Sequence, residues 1–268
     1  MREMSARSGV SEATLRMWEL RHGFPQPQRR SSGHRRYSEH DLALVRAVVR
    51  ARETGLSLPA AIELASGEAD EQPTSVYAAL RARVPGLEPQ LIPKRGVLAM
   101  SRAIEDESMA RAERPLLFGC FQRERFYRQS EERWRELART AERAVVLADF
   151  RRVRRPRQAP LEVPIRPSEP VAREWVIVCE SAGFAACLAG WERPHDGPGE
   201  RAFEAIWTVE ATAVRLAAQV CWQLVSQASP GLLADLRERL YGAPVAREHE
   251  LRSAIELSTR MVSYAAVL

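Results

Sequence analysis

The 268-residue sequence predicts a protein of several parts: an all-α-rich N-terminal unit carrying a basic hairpin, an α/β or α+β domain, and C-terminal helices. Three observations carry this. Through residues 1–65 apolar side chains recur at helical spacing, whereas beyond residue 93 short continuous apolar runs alternate with helical patterns. Between the two, ASGEADEQP at 65–73 is small and acidic with no apolar period, the composition of a linker. The charge is also uneven: residues 1–65 hold eleven Arg against seven Asp and Glu, a net +4, while the remainder holds 29 Lys and Arg against 28 acids. The expected boundaries are 1–65, a linker with a short helix over 66–93, a central domain over 94–227, and helices over 228–268.

Composition narrows the class. Hydrophobic residues at 45% and charged residues at 28% exclude collagen-like, disulfide-scaffold and disordered chains. The net charge of +5 makes a polyanion worth testing as partner. Lys94 is the sole lysine; arginine suits phosphates and guanine edges, although GC-rich codon usage produces the same skew. Cys120, Cys179, Cys187 and Cys221 form no C-x-x-C pair and are too scattered for a disulfide framework, so a reduced, cytoplasmic chain is expected. The apolar stretch at 211–225 is interrupted by Arg215 and Gln219 and is too short to cross a bilayer, and residues 1–30 have no apolar signal core. No membrane role is expected.

Residues 1–8 read as a short helix ended by Gly9, a residue suited to the left-handed turn after a helix. Ser11 caps a second helix over 12–20, with Leu15 and Trp18 spaced to face the first. Two short helices around Gly-Val-Ser suit a helix-turn-helix or an ordinary helical hairpin. The next segment of the chain decides between them. The residues from Gly23 to Pro27 stop the helix, and residues 28–37 read as a basic hairpin turning at Ser32-Gly33. Ser38 then caps a helix with Leu42, Val45, Val48 and Val49 on one face, and a further short helix follows Pro59. From Arg16 to Arg36 there are six Arg and one Glu. This is the composition of a winged helix-turn-helix, with a helix in the major groove and a wing on the backbone.

The text SARSGVSEATLRMWELRHGFPQPQRRSSGHRRYSEHDLALVRAV, then ETGLSLPAAIEL, resembles the MerR family of bacterial transcription regulators over residues 2–64. WE-x-R-x-GFP-x-P with GHRRYS is most similar to the branch that includes light- and cobalamin-linked regulators. The chain departs from the pattern in beginning close to its first helix, and in placing Met17 where many members have tyrosine. The resemblance implies a homodimer on a two-fold promoter site of double-stranded DNA. It would distort the duplex, act on RNA polymerase indirectly, and either activate or repress. Helix geometry and resemblance together place Thr14 and Arg16 at base edges or nearby phosphates, and Ser11 with the helix N-terminus at a phosphate. Met17 and Trp18 sit on the same helix, Trp18 as core rather than contact. Arg30, Arg35 and Arg36 would neutralise backbone charge in the wing. Tyr37 would either bond a phosphate or pack the wing, and Glu19 would orient an arginine.

Past the linker, residues 74–84 suggest a short amphipathic helix and 85–93 an irregular stretch. Residues 94–112 read helical, with Val97, Leu98, Met100, Ala103 and Ile104 in register. Apolar runs at 116–121 and 144–150 read as buried strands around a charged helix over 128–143. Strands are expected at 161–165, 174–180, 184–191 and 203–209, with a tight turn at Ser181-Ala182-Gly183, before a mostly apolar helix over 211–227. The blocks KRGVLAMSRAIEDE, LLFGCFQRERFYRQSEERWRELARTAERAVVLADF, REWVIVCES and FEAIWT resemble the DICT sensory domain over roughly 94–226.

No phosphate loop, H-E-x-x-H, G-x-S-x-G or kinase set is present, so no catalytic residue, cofactor or metal is expected. The acids Glu105-Asp106-Glu107 and Glu131-Glu132 read as solvated faces. Cys179 and Cys187 lie on neighbouring strands and read as buried structural thiols. Arg151, Arg152, Arg154, Arg155 and Arg157 crowd one stretch, either a solvated loop or an anion site for a phosphorylated effector or flanking DNA. In the tail, Leu232, Leu233, Leu236 and Leu240 form one stripe, and Leu251, Ala254, Ile255, Ser258, Met261, Val262 and Ala265 another. The second stripe would either fold back on its own domain or pair with a second copy, and dimerisation is the expected use. Two other readings are a signalling-interaction module with a vestigial DNA segment, and a small-molecule-binding sensor with thiol or light input. The effector is not readable from these residues.

Overall fold

The computed structural model describes residues 1–25, 28–29, 35–37, 39–53, 56–66, 74–111, 113–194, 200–241 and 250–266. They fall into two compact units, Met1–Glu71 and Gln72–Leu268.

The first unit holds α1 (Arg2–Ser8), α2 (Glu12–His22), β1 (Gln28–Arg29), β2 (Arg35–Arg36), α3 (Glu39–Glu53) and α4 (Leu58–Ser66). Gly9 at φ 75° and Gly23 at φ 64° close the first two helices in the left-handed conformation, where a side chain would be strained. Met4, Leu15, Phe24, Leu42, Val45, Val48 and Leu56 form the small core. The Arg46 guanidinium donates to the Arg7 carbonyl at 3.0 and 2.7 Å, tying α3 to the end of α1. The strands pair antiparallel, Gln28 with Arg36 and Arg29 with Arg35. The turn expected at Ser32-Gly33 and the Ser38 cap lie outside the described residues.

The second unit is built on one seven-stranded mixed sheet. Its strands are β3 (Gln90–Pro93), β4 (Leu116–Cys120), β5 (Arg143–Ala148), β6 (Leu161–Pro164), β7 (Glu174–Glu180), β8 (Ala185–Glu192) and β9 (Ala202–Thr208), in the order β3-β9-β8-β7-β4-β5-β6. β4, β5 and β6 run parallel, and the remaining pairs are antiparallel. Every residue of β4 is buried, which is why it reads as an unbroken apolar run instead of an alternating one.

Helices α5 (Val76–Arg83) and α9 (Ala211–Ala228) cover one face, while α6 (Lys94–Arg111), α7 (Glu124–Arg128) and α8 (Glu131–Thr140) lie against the other. Val97, Ile104, Leu117, Trp134, Leu137, Val146, Ile177, Leu188 and Phe203 form the main core on the α6 side. Gly119 makes room for the largest of these: a Cβ there would sit 2.5 Å from Trp134 Cη2.

Three expectations from the sequence are corrected by this arrangement. Residues 74–93 are not linker. α5 buries Val76, Tyr77, Ala78, Ala79 and Leu80, and residues 90–93, expected to be irregular, add an edge strand. The cause is a carboxylate distant in sequence: Glu174 accepts from the Val76 and Tyr77 amides at 3.0 and 3.3 Å and from the Ser75 hydroxyl, docking the start of α5 on β7. The helix expected over 128–143 is the shorter α8, Glu131–Thr140, with the separate α7 ahead of it, and Arg143 already begins β5. Finally, α11 (Glu250–Ala265) folds back on α6, burying Ser253, Leu257 and Met261 within its own unit. The stripe expected for dimerisation is thus offset: Ile255 and Val262 are exposed, and the buried positions pack intramolecularly. Before it, α10 (Arg237–Tyr241) buries Leu240 beside Leu233 and Leu236. Among the described residues no helix is long and apolar enough to cross a membrane.

Candidate nucleic-acid interface

Ser11 caps α2 as its sequence position suggests: its Oγ accepts from the Thr14 amide at 3.1 Å and lies 2.7 Å from the Thr14 hydroxyl. Both side chains are therefore engaged at the first turn. One turn on, Arg16 is 63% exposed and touches Glu12 only at 3.5 Å, a solvent-screened contact worth little. Leu15 points the other way and is fully buried. Trp18 is half-buried, its ring 6.3 Å from Phe24, which fits the core role.

Ala13, Arg16, Met17 and Leu20 are exposed and spaced as one helical stripe on α2, with Arg21 and His22 also exposed in its last turn. Leu20 is 81% exposed. Arg16 and Met17 were singled out from the sequence; Ala13 and Leu20, which share their exposed face, were not. The signal available was the i, i+3, i+4, i+7 spacing opposite Leu15.

Tyr37, directly after β2, donates its hydroxyl to Glu19 of α2 and lies 3.3 Å from Met1 Sδ. Glu19, expected to orient an arginine, is thus the acceptor that fastens the hairpin to α2. Of the two roles weighed for Tyr37, this contact corresponds to wing packing. Arg35 and Arg36 occupy the returning strand, in register with Arg29 and Gln28. Arg30 lies outside the described residues.

In the second unit the arginine cluster does not converge. Arg154 pairs with Glu162 through two main-chain hydrogen bonds of 2.9 Å and a side-chain contact of 3.4 Å, while Arg151, Arg152, Arg155 and Arg157 are exposed. All four cysteines are free and buried. Cys179 and Cys187 face opposite sides of the sheet, because Cys187 pairs with Val178 and Cys179 with Ala186. The thiol in contact with another is Cys120, hydrogen-bonded to Cys221; that bond and then burial push its pKa well up. Burial also raises Cys187, so both stay protonated and unreactive.

Glu105 and Glu107, read as solvated, are buried. Glu105 accepts from Arg133 and, at 3.1 Å, from the Trp134 indole; Glu107 pairs with Arg111 at 2.7 Å and Arg260 at 3.1 Å. Among the described residues no group of three or more His, Cys, Asp or Glu is placed to hold a metal.

A capped second helix with an exposed stripe, a basic hairpin pinned to it, and a separate mixed-sheet domain define a helix-turn-helix protein with an accessory domain. Residues 1–68 match the MerR HTH family regulatory protein model, and residues 74–193 match DICT, described as a sensory domain in diguanylate cyclases and two-component system. The chain therefore joins a MerR-family helix-turn-helix segment to a DICT sensory domain. The DICT match takes in α5 and β3, twenty residues ahead of the start expected from sequence. Among known proteins, the HTH-type transcriptional repressor CarA of Myxococcus xanthus is 44% identical over 64 residues, 23% of this chain and 22% of that protein. The HTH-type transcriptional regulator MlrA of Salmonella typhimurium is 31% identical over 71 residues, 26% of this chain and 29% of that one. The chain thus spans less than a third of the length of the relatives it matches. No solved structure gives a significant match.

Proposed function

We propose that this chain is a sequence-specific, DNA-binding transcription regulator that acts as a cytoplasmic dimer on a two-fold promoter site and answers to a signal through its DICT unit. The observation that carries this reading is the exposed stripe of α2 beside a hairpin fastened to the same helix by Tyr37 and Glu19. In this reading Arg16 reads a base edge, and Met17 and Leu20 meet apolar groups such as thymine methyls. Ser11 and Thr14 approach a phosphate through the capped turn, while Arg30, Arg35 and Arg36 neutralise the backbone. Trp18 supports the helix from behind. The relatives' names, repressor and regulator, favour control of transcription over catalysis, and RNA polymerase would be affected indirectly through the shape of the promoter.

Selection from a random duplex library with the purified full chain tests it. The expected result is an enriched two-fold site. On that site Arg16→Ala should cost about 1–3 kcal/mol and relax preference at one position per half-site. Arg35→Ala should weaken all sequences alike and reduce the salt slope by about one. Unselective recovery, or both variants binding as the parent does, would refute the reading.

A further inference from the structure

The DICT unit contains a cavity of about 240 Å³ at the carboxyl end of β4. β4 is central, with parallel β5 on one side and antiparallel β7 on the other. The crevice beyond the carboxyl ends of parallel strands is a common place for ligands in open α/β sheets. Lys94, Leu98 and Arg102 line the cavity at four-residue spacing along one face of α6. Phe121, Phe126 and Trp175 supply aromatic walls, and Arg201 a further cation. Among the described residues the lining holds three cations and no carboxylate; Arg201 is paired with Glu192 and Arg102 lies 3.6 Å from Glu105, while Lys94 makes no ion pair.

The wall is also held rigid at an unfavourable backbone position. Gln122 has φ 58°, uncommon for a residue with a side chain. Its amide is used at both ends: Nε2 donates to the Arg173 carbonyl at 3.0 Å and to Glu192 at 2.8 Å, and Oε1 accepts from Arg201 at 2.6 Å. Arg201 stacks between Phe126 and Phe203, at 5.0 and 5.3 Å from the ring centres. Burial, the largest single influence, disfavours the charged form of Glu192, but the hydrogen bond and charge of Arg201, the Gln122 hydrogen bond and the charge of Arg173 together hold the carboxyl below the usual range. Guanidinium, glutamine and aromatic rings are thus set in place before anything binds. Core packing alone does not require such an arrangement around open space.

We propose that this cavity binds a small planar aromatic acid of one or two rings, its ring among Phe121, Phe126 and Trp175 and its acidic group toward Lys94, flanked by Arg102 and Arg201. The proposal concerns binding alone and stands whether or not the first unit reads DNA.

Calorimetric titration of the full chain with 2-naphthoate and its neutral isostere 2-naphthamide tests it. One naphthoate should bind per chain, with naphthamide roughly tenfold weaker, the scale of a charge-assisted hydrogen bond. Lys94→Met should remove most of that preference while leaving naphthamide binding unchanged. Leu98→Trp should fill the cavity and abolish binding of both, and Arg157→Met, in the exposed cluster, should change neither. Circular dichroism and melting curves verify folding of each variant; should Leu98→Trp fail to fold, Lys94→Met decides. Absent naphthoate binding, naphthamide binding equal to naphthoate, full preference retained in Lys94→Met, or binding retained in folded Leu98→Trp would each overturn the proposal.

Discussion

Arginine has different partners in the two units. In the second, Glu105, Glu107, Glu162, Glu180 and Glu204 are nearly removed from solvent, and each meets a guanidinium: Arg133, Arg111 with Arg260, Arg128 with Arg154, Arg215 with Arg239, and Arg193. In the first, Arg16 stands on an exposed stripe with one loose contact. A guanidinium locked on a buried carboxylate holds a fold together; one held loosely at the surface remains available to an outside polyanion. Partnering, rather than the number of arginines, separates the two roles. It also explains why the 29 basic residues beyond residue 65 are balanced almost one for one by acids.

The largest expected effect comes from breaking one of the locked sets. Glu180 accepts from Arg215 at 2.8 Å and Arg239 at 2.9 Å. Glu180→Ala would leave two guanidiniums facing each other, and urea unfolding should show a loss of about 3–5 kcal/mol. A loss below about 1 kcal/mol would remove the distinction between the units. Next, Gly119→Ala forces a methyl against Trp134 and Phe121 and should cost about 1–3 kcal/mol, visible in the same transition.

In the first unit, Ser11→Ala removes one cap and should cost about 1 kcal/mol, read from the unfolding of that unit. An effect as large as that of Glu180→Ala would show that the first unit is no less tightly determined than the second. The smallest effect is one of pH. Burial alone would raise the Asp106 carboxyl, but the Tyr264 hydroxyl and then Arg133 and Arg260 hold it below the ordinary value of 3.8. A depressed acid contributes stability above its unfolded value and loses it as pH falls through the lower folded value. Amide exchange across α11 should therefore match that of β7 at neutral pH and outpace it below 3.8. Glu107 and Glu256 also join α11 to α6 through Arg260 and Arg111, so Asp106→Asn is needed to isolate the share due to Asp106.

Six of the seven sheet strands were legible because strands buried on both faces are written as continuous apolar runs. β3 was not: Gln90-Leu91-Ile92-Pro93 is short, sits on an edge and ends in proline, so it carries no period. α5 was legible as a helix but not as part of the domain, since its anchor, Glu174, lies about a hundred positions away. The tail stripe could have served a partner copy or the chain's own α6, and only packing distinguishes these. In the first unit the Ser11 cap and the glycine stops at 9 and 23 were plain, because they act over four residues or fewer. The Tyr37–Glu19 contact was not, since it joins a hairpin to a helix. The cavity was invisible for the same reason: its walls come from residues 94 to 201, each ordinary where it stands.

Glu174 also decides where the molecule can be dissected. A fragment begun at residue 72 keeps Ser75, Val76 and Tyr77 on that carboxylate, keeps the Tyr77 hydroxyl 3.3 Å from Glu204, and retains the whole compact unit. One begun at Lys94 discards β3 and α5, leaves that face to α9 alone, and strips those three donors from a fully buried acid. Cutting at the composition boundary near residue 72 keeps the whole compact unit; cutting at the first long helix yields a sheet short of an edge strand and half-covered on one face.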